Sequence, residues 1–470
     1  MQLVAEQLAA ILGPKGWIVG EDTGPWRRDW LNRYGEPPLG VARPASTEEV
    51  AAVVNACRVA GVPLVPQGGN TGLCGGAVLG APGGVIVSLA RMNHMSMPDP
   101  AGGSVLAEAG VVLAQLHKAL EGSGLMFPMH LGAEGSAQIG GLVATNAGGS
   151  HAFRFGTMQD LVLGLEVVLP DGSVWNGLRA VQKDNAGYQL RRLVCGSEGT
   201  LGIVTQAVLK LYSAPSTRAT ALLAFSGEDD AVAFGARARV EAGEFLTGLE
   251  FFSDLGLSFA LKHIAGLAFP LGARGGTYLL VEVSTGSPHV ALEDVLMSIF
   301  QTGIEEGLVL DGALASSESQ RAAFWRLREE QPEGQRLEGA QLKHDIAVPP
   351  GRIADFVSEA RAMTGAILPG VRVNPFGHLA DGNIHCNLSP PPNTPDFAGR
   401  EAEIGLALAG LADRLGGSFA AEHGLGRSKV ALADAVRSSV ERRLMARVKQ
   451  AFDPDFQLNP GVVIRAPIDK

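Results

Sequence analysis

The sequence has little cysteine, few aromatic residues and no excess of positive charge. Its four cysteines in 470 residues, Cys57, Cys74, Cys195 and Cys386, form no CxxC pair. That excludes a disulfide scaffold and favours a reducing compartment. Lys and Arg number 38 against 48 Asp and Glu, a net charge of −10. A chain so balanced is a poor non-specific nucleic-acid binder, and no nucleic-acid partner is expected. Any bound phosphate would be held by backbone amides rather than by a basic patch. No stretch approaches the ~20 apolar residues that span a bilayer, so no transmembrane segment is expected. The opening residues MQLVAEQLAAILGPKGWIVG lack a basic start and a cleavage site. They read as a short amphipathic helix, and the expected location is cytoplasmic. Two nucleotide fingerprints are missing as well. GxxxxGK[ST] is absent and no GxGxxG opens a helix, so P-loop and Rossmann readings fail.

Glycine is abundant, with 62 residues, and apolar residues make up 46%. The glycines are aperiodic, which excludes collagen. They cluster in loops, where backbone can approach a ligand closely. The length suggests two or three domains, and the apolar content is ample for a buried core. Around Ser46 the grammar is clear. Ser46 or Thr47 caps a helix with Glu48 and Glu49 at its positive end. Val50, Val53, Val54 and Cys57 recur at helical spacing, Gly61 ends the helix, and VPLVP is a buried strand. Helices and strands alternate up to about Ser213. From Ala214 the pattern changes to a second α+β region, expected as an antiparallel sheet with helices on one face. Expected helices follow at Glu403–Leu415 and Val430–Phe452. The domains read as 1–213, 214–425 and 426–470.

Three glycine loops fall in the first domain: Pro66–Gly76, Gly132–Gly149 and Gly196–Gly202. Any one could be a tight surface bend. Three together favour a large dinucleotide clasped by backbone amides. In the second domain, GHLADGNIHCNL places Asp381-Gly382, a strong hairpin signal, between two histidines. With those two residues at the centre of the turn, His378 lies directly opposite His385 on one face, their Cβ atoms about 4.5–5.5 Å apart. The pair is either an ordinary exposed or core pair, or two ligands of one metal. Glu422, in SFAAEHGLGRSK, would complete a His2Glu set with open positions.

The order PxGGNTG, GGxxATNAGG, KDNAGYxL and GSEGTLGIVT resembles the FAD-linked oxidase family, of vanillyl-alcohol oxidase or glycolate-oxidase-D type. The resemblance implies a two-subdomain module binding FAD non-covalently. It assigns cofactor contacts to Pro66, Gly68, Gly69, Asn70, Thr71, Gly72 and Leu73. It adds Gly132, Ser136, Gly140, Gly141, Thr145, Asn146, Glu198, Gly199, Ile203 and Asn459. The implied fold is α+β: an FAD-binding module, an antiparallel-sheet cap domain for substrate, and a C-terminal helical segment returning to the flavin. Cys74 and Cys195 read as buried packing.

GHxxDGNxHxN with EHGxGR resembles the D-2-hydroxyacid dehydrogenase branch, nearest its D-2-hydroxyglutarate dehydrogenases, with D-lactate dehydrogenases nearby. By that resemblance His378, His385 and Glu422 hold a divalent metal, zinc in the expected case. His423 is the general base and Asn387 lies at the substrate. Arg328 and Lys343 match the branch's cationic residues for substrate carboxylates. Pro332 departs from the hydroxyl residue of some relatives, four positions after Arg328. The expected reaction takes D-2-hydroxyglutarate, or a similar D-2-hydroxy acid, to the 2-oxo acid by hydride transfer to flavin N5. A D-lactate or other monocarboxylate dehydrogenase is the alternative. The expected electron acceptor is an electron-transfer flavoprotein or a quinone, and a homodimer is the assembly in view.

Overall fold

The structure, a computed structural model, describes residues 1–465. The chain forms two compact units. The first comprises Met1–Gly149, Phe155–Ser213 and the segment from Glu422 onward; the second comprises Ser150–Arg154 and Ala214–Ala421. No helix among the described residues is long and apolar enough to cross a membrane.

The first unit contains two four-stranded sheets. One runs in the order Trp17–Ile18, Gly40–Ala42, Val85–Ser88, Leu64–Gln67, with its last three strands parallel. The other is antiparallel, in the order Ser104–Glu108, Ile203–Lys210, Val162–Val168, Val174–Gly177. Ser46 caps the helix Thr47–Val59 by accepting from the Glu49 N–H. That helix buries Val50, Val53, Val54 and Cys57 against the parallel sheet. Burial of such side chains stabilises by about 1.5–3 kcal/mol for each large aliphatic. The buried Glu166 accepts from both Thr47 Oγ1 (2.6 Å) and Thr205 Oγ1 (2.9 Å), which ties the start of that helix to the antiparallel sheet.

One helix was expected over Val430–Phe452, but there are two, Val430–Val436 and Ser439–Phe452. Ser438 is in the extended region and accepts from the Glu441 N–H, so a new N-cap forms where the pattern seemed continuous. The second of these helices is pinned by Lys449, only 3% exposed. Lys449 donates to Thr200 O, Leu458 O and Asp453 Oδ2.

The second unit is built on a seven-stranded antiparallel sheet. Its order is Val309–Leu314, Thr217–Phe225, Thr277–Thr285, Leu246–Ser253, Arg372–His378, Asn383–Ser389, Asp345–Ala347. The expectation of helices on one face fails. Phe252, Tyr278 and Phe376 pack with Phe324 and Leu327 of the helix Glu318–Glu329 on one side. On the other side, Gly235 of the helix Glu228–Glu241 lies against Leu249 and Leu379. Leu246–Ser253 is buried along its whole length. A strand covered on both faces reads as a near-continuous apolar run rather than an alternating one, and ALLAF and YLLVEV carry that signal.

Candidate active site

The three glycine loops converge. Residues from all of them line one cavity with about 1020 Å³ of open space. Among the expected cofactor residues, Pro66, Gly68, Gly69, Asn70, Thr71, Gly72, Gly140, Gly141, Thr145, Glu198, Gly199 and Ile203 are in its wall. Gln67, Gln138, Ser197 and His423 also line it. Sequence reasoning did not single out the first three, although Gln67 lies within PxGGNTG, Gln138 within the second glycine loop and Ser197 within GSEGTLGIVT.

Leu73, Gly132, Ser136, Asn146 and Asn459 are not in the lining. Three of them support it instead. The Ser136 carbonyl abuts Gly69, where an added Cβ would lie 1.9 Å from that oxygen. Asn146, at φ 50°, ends the helix Ile139–Thr145, and its Oδ1 accepts from Gln159 N and Thr157 Oγ1. Asn459 Nδ2 donates to Gly76 O and Glu198 O, both at 2.8 Å, and so stitches the first and third loops together.

The cavity fits a large polar ligand that bears acceptors and donors. Asn70 Oδ1, Gln138 Oε1 and Ser197 Oγ are buried in its surroundings with no protein partner. Unpartnered buried polar atoms are costly unless something meets them. Gly72 would place a Cβ in open space, and a Cβ on Gly141 would meet only the Gly68 Cα, 4.0 Å away. These bare backbones form a cradle that side chains would fill. FAD suits it, with the diphosphate against amides.

Glu198 fixes the segment that carries His423. Its Oε1 accepts from Leu425 N and its Oε2 from Gly426 N, both at 2.8 Å. Burial raises the Glu198 carboxyl above its ordinary range, against the pull of those two N–H groups and of Lys429. Arg427 completes the knot. It donates to Val78 O, Pro460 O and Asn459 Oδ1, and burial lowers its pKa to about 10.

The histidine hairpin differs from the expected register. Asn383 lies opposite His378, and Phe376 lies opposite His385. The connection is the four residues Leu379–Gly382, not a two-residue turn. Leu379 N donates to Leu249 O and Arg239 donates to Ala380 O, so neighbouring elements draw the turn residues away from the ladder. The shift is two residues, one full side-chain period, so both histidines keep the same face. They are diagonal neighbours with ring centroids 5.6 Å apart.

Each histidine has a carboxylate directly opposite on the outer neighbouring strand. Glu250 pairs with His378, and Asp345 with His385. Glu250 Oε1 lies 2.6 Å from His378 Nδ1. Asp345 Oδ1 lies 3.8 Å from His385 Nδ1. The Glu250 carboxylate on His378 Nδ1 fixes the tautomer that presents its Nε2 lone pair, as in carboxylate–histidine–metal arrangements; Asp345 stands beyond hydrogen-bond distance of His385 and acts on it as a nearby charge. Burial opposes the Glu250 charge, but His378 and Arg328 outweigh it and leave the carboxyl below its ordinary range. Glu422 follows Ala421, whose N–H reaches Asp345 O. The two imidazoles, on one face of the hairpin, offer a pair of nitrogen donors to one ion. This donor set suits zinc or a similar divalent ion.

Arg328 is buried, not on a solvated helix face. Its Nε lies 3.0 Å from Glu250 Oε2 and its guanidinium sits over the Phe376 ring. Asn387 is buried two residues beyond His385, on the same strand face. Lys343 is exposed, near Glu333. Pro332 is in the first turn of the helix Gln331–Glu338. Cys195 packs in the core with its thiol pushed up to about 12 by burial, whereas Cys74 lines the flavin cavity.

The fold and the cavity define a flavin-dependent oxidoreductase. Residues 38–177 match the FAD binding domain model, and residues 214–463 match that of the FAD linked oxidases, C-terminal domain. The chain belongs to the FAD-linked oxidases. It is 37% identical to the D-2-hydroxyglutarate dehydrogenase of Xanthomonas citri pv. viticola, covering 92% of this chain and 91% of that one. It is 33% identical to that of Stutzerimonas stutzeri, covering 98% of each chain. A probable mitochondrial D-2-hydroxyglutarate dehydrogenase of Oryza sativa subsp. japonica is 36% identical, over 97% of this chain and 80% of the relative. Among solved structures, 4-ethylphenol oxidase from Gulosibacter chungangensis has a TM-score of 0.74 at 18% identity, covering 99% and 97% of the two chains. Alkyldihydroxyacetonephosphate synthase has a TM-score of 0.71 at 16% identity, covering 98% and 84%. These two share the fold.

Proposed function

We propose that this protein oxidises D-2-hydroxyglutarate, or a closely similar D-2-hydroxy acid, to the 2-oxo acid. The observation that carries the reading is the histidine pair, His378 buried and His385 half-buried, each opposite a carboxylate on the neighbouring strand, in a chain similar to D-2-hydroxyglutarate dehydrogenases over nearly its full length. Bound FAD supplies the two-electron acceptor, and a divalent cation supplies charge that acidifies the substrate hydroxyl. His378, His385 and Glu422 would hold that cation, with zinc as the proposed metal. Glu250 orients the His378 imidazole, and Asp345 places a charge near His385. His423, in the cavity wall, is the residue proposed to accept the hydroxyl proton, and bound FAD would take up the hydride lost from substrate C2. Glu422 and His423 are one peptide bond apart, so the cation-holding residue and the base are coupled through the backbone. Asn387 and Lys343 are proposed to bind substrate. Arg328 is proposed to act on the substrate carboxylate while also balancing Glu250.

Reoxidation by an electron-transfer flavoprotein or quinone, a cytoplasmic location and a homodimer belong to the same proposal. The four cysteines are buried and none forms a disulfide among the described residues, which accords with a reducing compartment. The test is anaerobic bleaching of the flavin against a panel of hydroxy acids. D-2-hydroxyglutarate should bleach it fastest and its L-isomer should not. Faster bleaching by D-lactate would replace the dicarboxylate assignment with the monocarboxylate one. No bleaching by any hydroxy acid would overturn the reaction.

A further inference from the structure

A second histidine–carboxylate cluster lies in the FAD-binding unit. His117 is in the last turn of the helix Leu113–Leu120. His130 and Glu134 are four residues apart in the connection that follows. Glu134 Oε2 lies 3.6 Å from His117 Nδ1 and 3.3 Å from His130 Nδ1. The two rings have centroids 4.7 Å apart. Donor atoms of a tetrahedral zinc site, ~2.0–2.1 Å from the metal, stand about 3.3–3.4 Å from one another. Both nitrogen–oxygen separations are close to that value.

The backbone holds this arrangement in place. Ala114 N donates to Glu134 O, and Leu113 N donates to Ala137 O, so the connection is docked on the start of the helix. His117 Nε2 is buried without a well-formed hydrogen bond. A simple ion pair would use one imidazole on Glu134 and leave the second without a purpose beside it.

We propose that His117, His130 and Glu134 form a second divalent-cation site, of the zinc class, separate from the candidate set at His378, His385 and Glu422. Its role is structural. Glu134 lies just ahead of Ala137 and Gln138, which line the flavin cavity. A cation there ties that wall to the helix Leu113–Leu120.

The experiment titrates Zn2+ into metal-stripped, FAD-loaded full-length protein by calorimetry. Flavin absorbance reports the fold of each variant. In a His378→Ala/His385→Ala background, one saturable Zn2+ per chain should remain. Adding His117→Ala/His130→Ala should abolish it, and Glu134→Gln should weaken it about tenfold or more. In the otherwise unaltered chain, His117→Ala/His130→Ala should lower the zinc count by one and leave hydroxy-acid bleaching in place. The proposal is overturned if the His378→Ala/His385→Ala protein takes up no saturable zinc. It also falls if His117→Ala/His130→Ala leaves the zinc count unchanged.

Discussion

At the scale of single residues, Glu250 decides more than its position suggests. It is 1% exposed and faces both His378 and Arg328. Removing one member of a buried charged set leaves the others uncompensated, at about 3–5 kcal/mol. Glu250→Gln should therefore lower the unfolding free energy by that order. It should also weaken divalent-metal binding by about 10–100-fold, because the histidine loses its orienting acceptor. Urea unfolding and metal titration measure the two effects; full metal affinity in Glu250→Gln would remove Glu250 from the site. Glu250 was invisible to motif reading because it lies 128 residues from His378. A signal was present nonetheless: one acid inside LTGLEFFS, a run otherwise suited to complete burial. Glu198 was legible as a flavin-loop residue, but its bonds to Leu425 N and Gly426 N were not. Glu198→Ala leaves those two N–H groups unmet. Purified Glu198→Ala should carry less flavin per chain than wild type, read from absorbance; equal content would make the clamp dispensable.

At the scale of elements, the hairpin separates what periodicity determines from what it does not. Side-chain alternation placed both histidines on one face, and the structure keeps them there. Turn chemistry predicted the register and missed it by two residues, because Leu379 and Ala380 are held by Leu249 and Arg239 from other elements. The break at Ser438 was legible in principle, since Ser438 and Glu441 have capping-box spacing. Glu338 shows how a helix end can fasten its neighbours. It closes the helix Gln331–Glu338 and accepts from Lys262 and His263 of the helix Asp254–His263, and from Arg372 of the hairpin. Hydrogen bonds from Lys262 and His263 come first in lowering its pKa, to about 2. A carboxyl depressed by folding stabilises fully above its unfolded pKa, and that stabilisation fades as pH falls through the folded value. Wild type should thus exceed Glu338→Gln in thermal midpoint near neutrality. The gap should narrow from about pH 4.5 downward toward 2. A gap that stays constant with pH would assign the loss to shape rather than charge.

At the scale of the whole molecule, the chain is threaded so that its last segment rejoins its first unit. The flavin cavity draws its wall from stretches far apart in sequence, from Pro66 to His423. The buried Lys449 and Asn459 lock the returning segment onto the third glycine loop through Thr200 O and Glu198 O. Glycine patterning revealed the loops, but the sequence held no sign that Lys449 would strut the third loop against the returning segment. Its charge is compensated by Asp453, which no spacing rule requires to be buried. This closure predicts where ligands should be felt. A ligand that binds only the folded state stabilises it by about 2.7 kcal/mol at a hundredfold excess over Kd. Saturating FAD should therefore slow amide exchange in peptides covering residues 66–77, 136–146, 197–203 and 423–427 together. A divalent cation without FAD should slow exchange around His378–Asn387 and, at the second proposed site, around residues 113–134 instead. Hydrogen-exchange mass spectrometry separates the two patterns. If FAD protected the three glycine loops but left 423–427 unchanged, His423 would not belong to the flavin site, and the proton would need another acceptor.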